Sequence, residues 1–117
     1  MVLHHWSNVA GLTVTDPSKQ GTGKAGRERK RFADPEYRPH TNFGDDSYRE
    51  PAIQGQRYHY TAEVDVADYY DIVADPEQLW QTGLGSYTEA ENRLYAKGYK
   101  GYRSGSEYAA FVPVTLN

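Results

Sequence analysis

Two short stretches hold the residues best suited to chemistry. His5-Trp6-Ser7 follows an apolar start, and Glu107 stands just after Ser104-Gly105-Ser106, heading the run Tyr108-Ala109-Ala110-Phe111. In an extended segment residues i and i+2 project from the same face. His5 and Ser7 would then present an imidazole and a hydroxyl together, able to hydrogen-bond a polar ligand. The plainer reading is a structural histidine beside a turn serine. A carboxylate at a strand start beside a glycine turn suits a cleft rim. There it could hold a ribose hydroxyl, stabilise a developing oxocarbenium ion or act as a base. The plainer reading is an exposed strand-end Glu.

Other groups carry weaker signals. Gly21-Thr22-Gly23-Lys24-Ala25-Gly26 looks like a phosphate loop but fails the Walker A spacing, because Arg27 follows Gly26. It reads as a basic loop, either over an anionic ligand or simply solvated. His4 and His5 are adjacent and point to opposite faces, while His40 and His59 lack ligand spacing, so no metal site is expected. Two histidines with a basic cluster would also serve a metal-independent ribonuclease, but spacing identifies no acid/base pair.

The elements that must position these groups follow from pattern. Residues 2–6 read as a first strand, and 24–33 as a short basic helix ended by Asp34-Pro35. A short strand is expected around Thr41-Asn42-Phe43. Tyr58, Tyr60, Ala62, Val64 and Val66 alternate with His59, Thr61, Glu63 and Asp65, which predicts a half-buried strand over 58–66. Asp75-Pro76-Glu77 reads as a helix start anchored by Leu79 and Trp80. Thr88 with Glu91 fits a capping box for a helix over 88–97, stopped by Gly98. Residues 98–102 lead into a strand, Ser104-Gly105-Ser106 turns the chain, and 107–112 form a last strand. Strands and helices mix without regular alternation. The fold class is therefore α+β: a largely antiparallel sheet with a few short helices.

The chain has 117 residues, which predicts a single domain over 1–117 able to bury a core without staples. It has no Cys, which removes disulfides and thiol nucleophiles and suits a reducing, cytoplasmic setting. No apolar run approaches the roughly 18 residues of a membrane span, and the N-terminus lacks the pattern of a secretory leader. Eleven Tyr in a chain poor in aliphatics predict an aromatic core or a tyrosine-lined cleft. Charge is segregated: residues 58–92 carry eight acids and no Lys or Arg, while 24–31 carry five basic groups and one acid. That asymmetry implies a basic end and an acidic end, and argues against a general nucleic-acid groove binder.

Taken together, His5-Trp6-Ser7 and Glu107-Tyr108-Ala109-Ala110-Phe111 resemble the first and last motifs of the ADP-ribosyltransferase superfamily. The chain also resembles small phage-encoded proteins through His5-Trp6-Ser7, Leu12-Thr13-Val14-Thr15-Asp16-Pro17, Gly21 to Gly26, and Gly98-Tyr99-Lys100-Gly101-Tyr102. The resemblance implies a split antiparallel sheet bearing a His-Tyr-Glu constellation on three strands, with NAD as substrate and no metal. It makes Glu107 the catalytic carboxylate, holding the nicotinamide ribose and supporting an oxocarbenium-like transition state. It gives His5 a ribose hydroxyl, Ser7 the nicotinamide, and Phe43 the stacking role usually taken by Tyr, for which Tyr37 or Tyr48 could substitute. Trp6 stands where the family has Gly or Tyr. Gly105 stands where an acceptor-directing Glu or Gln would be, which weakens the case for arginine-directed transfer. The implied partner is a host protein or nucleic-acid acceptor, modified in the host cytoplasm. The alternative is a non-catalytic phage protein that binds a host partner through its Tyr-rich or acidic surface.

Overall fold

Alternating side chains decide which face each strand buries, and strand pairing carries that choice across the sheet. The computed structural model describes residues 1–19, 38–48, 58–81 and 87–117. Its strands are β1 (Val2–Ser7), β2 (Thr41–Gly44), β3 (Tyr58–Glu63), β4 (Tyr69–Asp71), β5 (Gly101–Ser104) and β6 (Glu107–Ala110), with one α-helix, α1 (Tyr87–Lys97), among the described residues. They form one six-stranded sheet in the order β3-β1-β2-β6-β5-β4. Every pairing is antiparallel except β4 with β5. A parallel pair needs a long crossover, and α1 lies within the segment that supplies it. β1 and β2 meet through the single pair His4↔Gly44, so the sheet is narrowest there. The α+β class and the largely antiparallel sheet are as the sequence predicts.

One face buries Leu3, Phe43, Ala62, Tyr69, Tyr108 and Ala110 under Val114 and Leu116 of the C-terminal segment. That segment is fixed by backbone bonds from Thr15 N–H to the Val114 carbonyl (2.9 Å) and from Leu116 N–H to the Thr13 carbonyl (2.9 Å). The other face packs Leu94 of α1 with Tyr70 and Phe111, flanked by Leu79, Trp80, Tyr99 and Tyr102. With both faces covered over β5 and β6, small residues are required at the crossing. A Cβ on Gly101 would lie 2.0 Å from the Ala109 carbonyl oxygen and 2.7 Å from the Tyr69 ring.

Three expectations are corrected. The strand predicted over 58–66 pairs only to Glu63, since Asp65 accepts the Ala67 N–H (3.0 Å) and winds 66–68 into a 3-10 turn. Asp75-Pro76-Glu77 does not start a helix. Asp75 and Gln78 adopt left-handed φ of 45° and 55°, and the Asp75 carboxylate accepts the Trp80 N–H (3.0 Å) and the Tyr70 hydroxyl. L-residues do not build helices in that region, although Leu79 and Trp80 still reach the core. The last strand ends at Ala110 rather than at 112. The basic helix over 24–33 and the glycine loop over 21–26 lie outside the described residues.

Candidate functional site

His5 projects from β1 onto the core face. Its Nδ1 is 2.9 Å from the Asn42 carbonyl, which can only accept, so Nδ1 carries the proton and the neutral ring presents Nε2 as acceptor. The ring tilts against Phe43 (5.3 Å between centroids) and Tyr60 (6.5 Å). Phe43 is 2% exposed, within the core cluster. Ser7 accepts the Val9 N–H (3.0 Å), closing the turn after β1.

Burial, partly offset by the Asn42 carbonyl, holds the His5 pKa below 6.5. The unfolded chain then binds the proton more readily than the fold. The stability His5 contributes is complete above about pH 6.5 and is lost as pH falls from there through the lower folded-state value. His5→Phe keeps a ring against Phe43 and is expected to reduce that acid-side loss, measured as urea midpoints between about pH 7.5 and about pH 5.

Glu107 belongs to the opposite face. Phe43 pairs with Tyr108, Gly44 pairs with Glu107, and His4 pairs with Gly44. Alternation therefore places His4, Gly44, Glu107 and Ser104 in one row, with His5, Phe43 and Tyr108 on the far side of the sheet. The structure brings His5 and Phe43 together and separates Glu107 from both. Glu107 is exposed and, with Asn42, Tyr102, Ser104, Tyr108 and Ala109, lines a shallow pocket of about 80 Å³. That volume takes a small polar group, well below the several hundred Å³ of a site that encloses a whole ligand.

The Glu107 face also carries a cluster that spacing did not reveal. The turn after β2 is closed by the Asp45 carboxylate, which accepts the Ser47 N–H (2.9 Å) and hydroxyl (2.6 Å). This turn directs Asp46 to Nε2 of His4 (2.5 Å), whose Nδ1 lies 2.7 Å from Nε2 of His59 on β3. The Trp6 ring lies nearly parallel to His59 (4.9 Å, 18°) and meets Tyr48 edge-on (6.4 Å). Tyr48 rests on Gly44, where an added Cβ would fall 2.3 Å from its ring. Gly44→Ala is expected to push Tyr48 off Trp6 and to cost about 1–3 kcal/mol by overpacking. The shift of the Trp6 indole N–H resonance, with a melting curve, checks this. The available signal for the cluster was that His59 sits on the polar face of an alternating strand, whereas β1 shows no alternation and gives His4 the face of Val2 and Trp6. Which strands pair was not legible.

Behind the pocket, Glu91 of α1 is fully buried, with a carboxylate oxygen 3.0 Å from Nδ1 of His40 and 3.0 Å from the Tyr102 hydroxyl. His40 is 3% exposed. Glu91 thus ties α1 to β5 instead of closing a capping box with Thr88, which lies inside the helix.

Among the described residues, no group of three or more His, Asp or Glu is arranged to hold a metal ion, and no helix is long and apolar enough to cross a membrane. The Glu107 face offers a carboxylate, a carboxylate–imidazole–imidazole chain and the half-buried rings of Trp6 and Tyr48, chemistry suited to polar ring and sugar groups. Compared with family models, curated proteins and solved structures, the chain finds no match.

Proposed function

We propose that this protein is an NAD-dependent mono-ADP-ribosyltransferase-like protein that works on the sheet face bearing Glu107. The observation that carries the reading is the alignment of His4, Tyr48 over Gly44, and Glu107 along three adjoining strands, β1, β2 and β6. These are residue types the resemblance names, with Tyr48 in the stacking place it gives to Phe43 and His4 on the same face, bonded through both ring nitrogens to Asp46 and His59. His4 and Glu107 are two strand spacings apart, roughly 10 Å between Cα atoms, with the Tyr48 ring over Gly44 between them. The single-pair joint between β1 and β2 is in keeping with a split, ADP-ribosyltransferase-like sheet.

In this reading Glu107 binds ribose hydroxyls while the nicotinamide packs on the Tyr48 and Trp6 rings. As the bond from the sugar to nicotinamide loosens, the carboxylate stabilises the positive charge on the sugar. A nucleophile from a host protein or nucleic acid, or water, captures C1. A phage protein acting in the host cytoplasm fits this chemistry. The test is nicotinamide release from NAD, with and without a bacterial lysate. Release that requires lysate supports transfer.

A second reading rests on one specific observation: the sheet divides His5 and Phe43 from Glu107. A fold of this kind could instead bind a host partner without catalysis. No nicotinamide release, with no heat of NAD binding by calorimetry, would favour it.

A further inference from the structure

The Asp46–His4–His59 chain fixes proton positions from one end. A carboxylate only accepts, so Nε2 of His4, 2.5 Å from Asp46, carries hydrogen. In neutral His4 the other nitrogen, Nδ1, is then a lone pair. Nε2 of His59, 2.7 Å away, must donate to it. That leaves Nδ1 of His59 as a lone pair, and no described residue takes it up. The two imidazoles are nearly coplanar (17°) with centroids 4.9 Å apart. This is the separation of an in-line, edge-to-edge hydrogen bond, since one ring radius on each side adds about 2.3 Å to the nitrogen–nitrogen distance. Asp46 is 89% exposed at the outer end, His4 is 18% exposed in the middle, and His59 is exposed. Trp6 lies nearly parallel to both imidazoles and walls the chain on one side.

We propose that Asp46, His4 and His59 form a proton relay whose outlet, Nδ1 of His59, is a general base for a hydroxyl substrate. A carboxylate that orients an imidazole fixes its tautomer and stabilises the cation formed on proton uptake. Here that logic runs through one more ring. The base removes the proton of an R–OH group. The oxygen attacks an electrophilic carbon, whose leaving group departs with its bonding electron pair, and His59 returns the proton to solvent. Burial, the largest cause, holds the His59 pKa below 6.5, which favours the neutral ring at pH 7. The inference goes beyond NAD chemistry and does not depend on it. If the NAD reading holds, the acceptor class it names is a hydroxyl.

The test uses the full chain without NAD. In ¹⁵N spectra of the histidine rings, His59 is expected to show a protonated Nε2 and an unprotonated Nδ1. Asp46→Asn can donate to His4 through its amide and reverse the chain, which would move the His59 proton to Nδ1. Asp46→Glu keeps the acceptor and should keep the tautomer. Hydrolysis of p-nitrophenyl acetate, with water as the hydroxyl donor, should fall about tenfold or more in Asp46→Asn and in His59→Ala, and recover in Asp46→Glu. Unchanged melting temperatures would exclude unfolding as the cause. A wild-type His59 protonated at Nδ1, or an Asp46→Asn protein as fast as wild type, overturns the relay.

Discussion

Glu91→Ala is expected to lower stability by about 3–5 kcal/mol, the cost of emptying a fully buried site and removing two hydrogen bonds to a carboxylate. Glu91 is fully buried, and its carboxylate serves both His40 and Tyr102. Truncation removes the carboxylate that both His40 and Tyr102 bond, leaving His40 Nδ1 the longer contact to the Arg38 carbonyl (3.3 Å). At about 4 °C per kcal/mol for a domain near this size, the melting temperature should fall by roughly 12–20 °C. Glu91→Gln keeps an oxygen for one partner and should lose less. Replacing all three with apolar groups, as in His40→Leu with Glu91→Leu and Tyr102→Phe, should recover part of the loss, because the polar groups that bond one another are then removed together. Thermal melts of the three proteins read the difference. A Glu91→Ala protein within about 1 °C of wild type would show that the pair contributes nothing net.

Glu107→Gln is expected to reduce nicotinamide release by about 10²–10³-fold while leaving the fold unchanged. Glu107 is exposed and has no role in either core cluster, so stability should move by less than about 0.5 kcal/mol. The amide keeps the shape but loses the charge that stabilises the sugar cation, a loss of roughly 3–4 kcal/mol in the barrier. Phe43→Leu tests the alternative geometry. If nicotinamide lies on the Glu107 face, this core substitution lowers the melting temperature without a comparable loss in release per folded molecule. Initial rates at saturating NAD, normalised to the folded fraction, separate the two effects.

The legible parts of this fold are those whose signal is local. β1 announces itself by its apolar start, β3 by alternation and β6 by a glycine turn, and α1 by its apolar spacing and by Gly98, whose φ of 99° suits glycine alone. β4 was missed because a three-residue strand of two tyrosines and an acid carries no period, and Tyr69–Asp71 become a strand only by pairing with β5 across a crossover. Asp75-Pro76 carries a local helix-start signal that the Asp75 carboxylate overrides by binding Trp80 and Tyr70 instead. Glu91 fits a capping pattern in sequence, but burial against His40, 51 positions earlier in the chain, decides its role. The site fared similarly. The opposite facing of His4 and His5 follows from period two. Whether Glu107 joins His4 or His5 depends on register through β2, where a slip of one residue exchanges the faces. The contact of His4 with His59 depends on the β1–β3 pairing, which places Trp6 opposite His59.

The face that NAD occupies is the central claim, and titrating NAD into ¹⁵N-labelled protein tests it most directly. The account predicts amide and ring shifts concentrated on His4, Trp6, Tyr48 and Glu107, with His5 and Phe43 little changed. Shifts centred on His5, Ser7 and Phe43, or no shift at millimolar NAD, would contradict it.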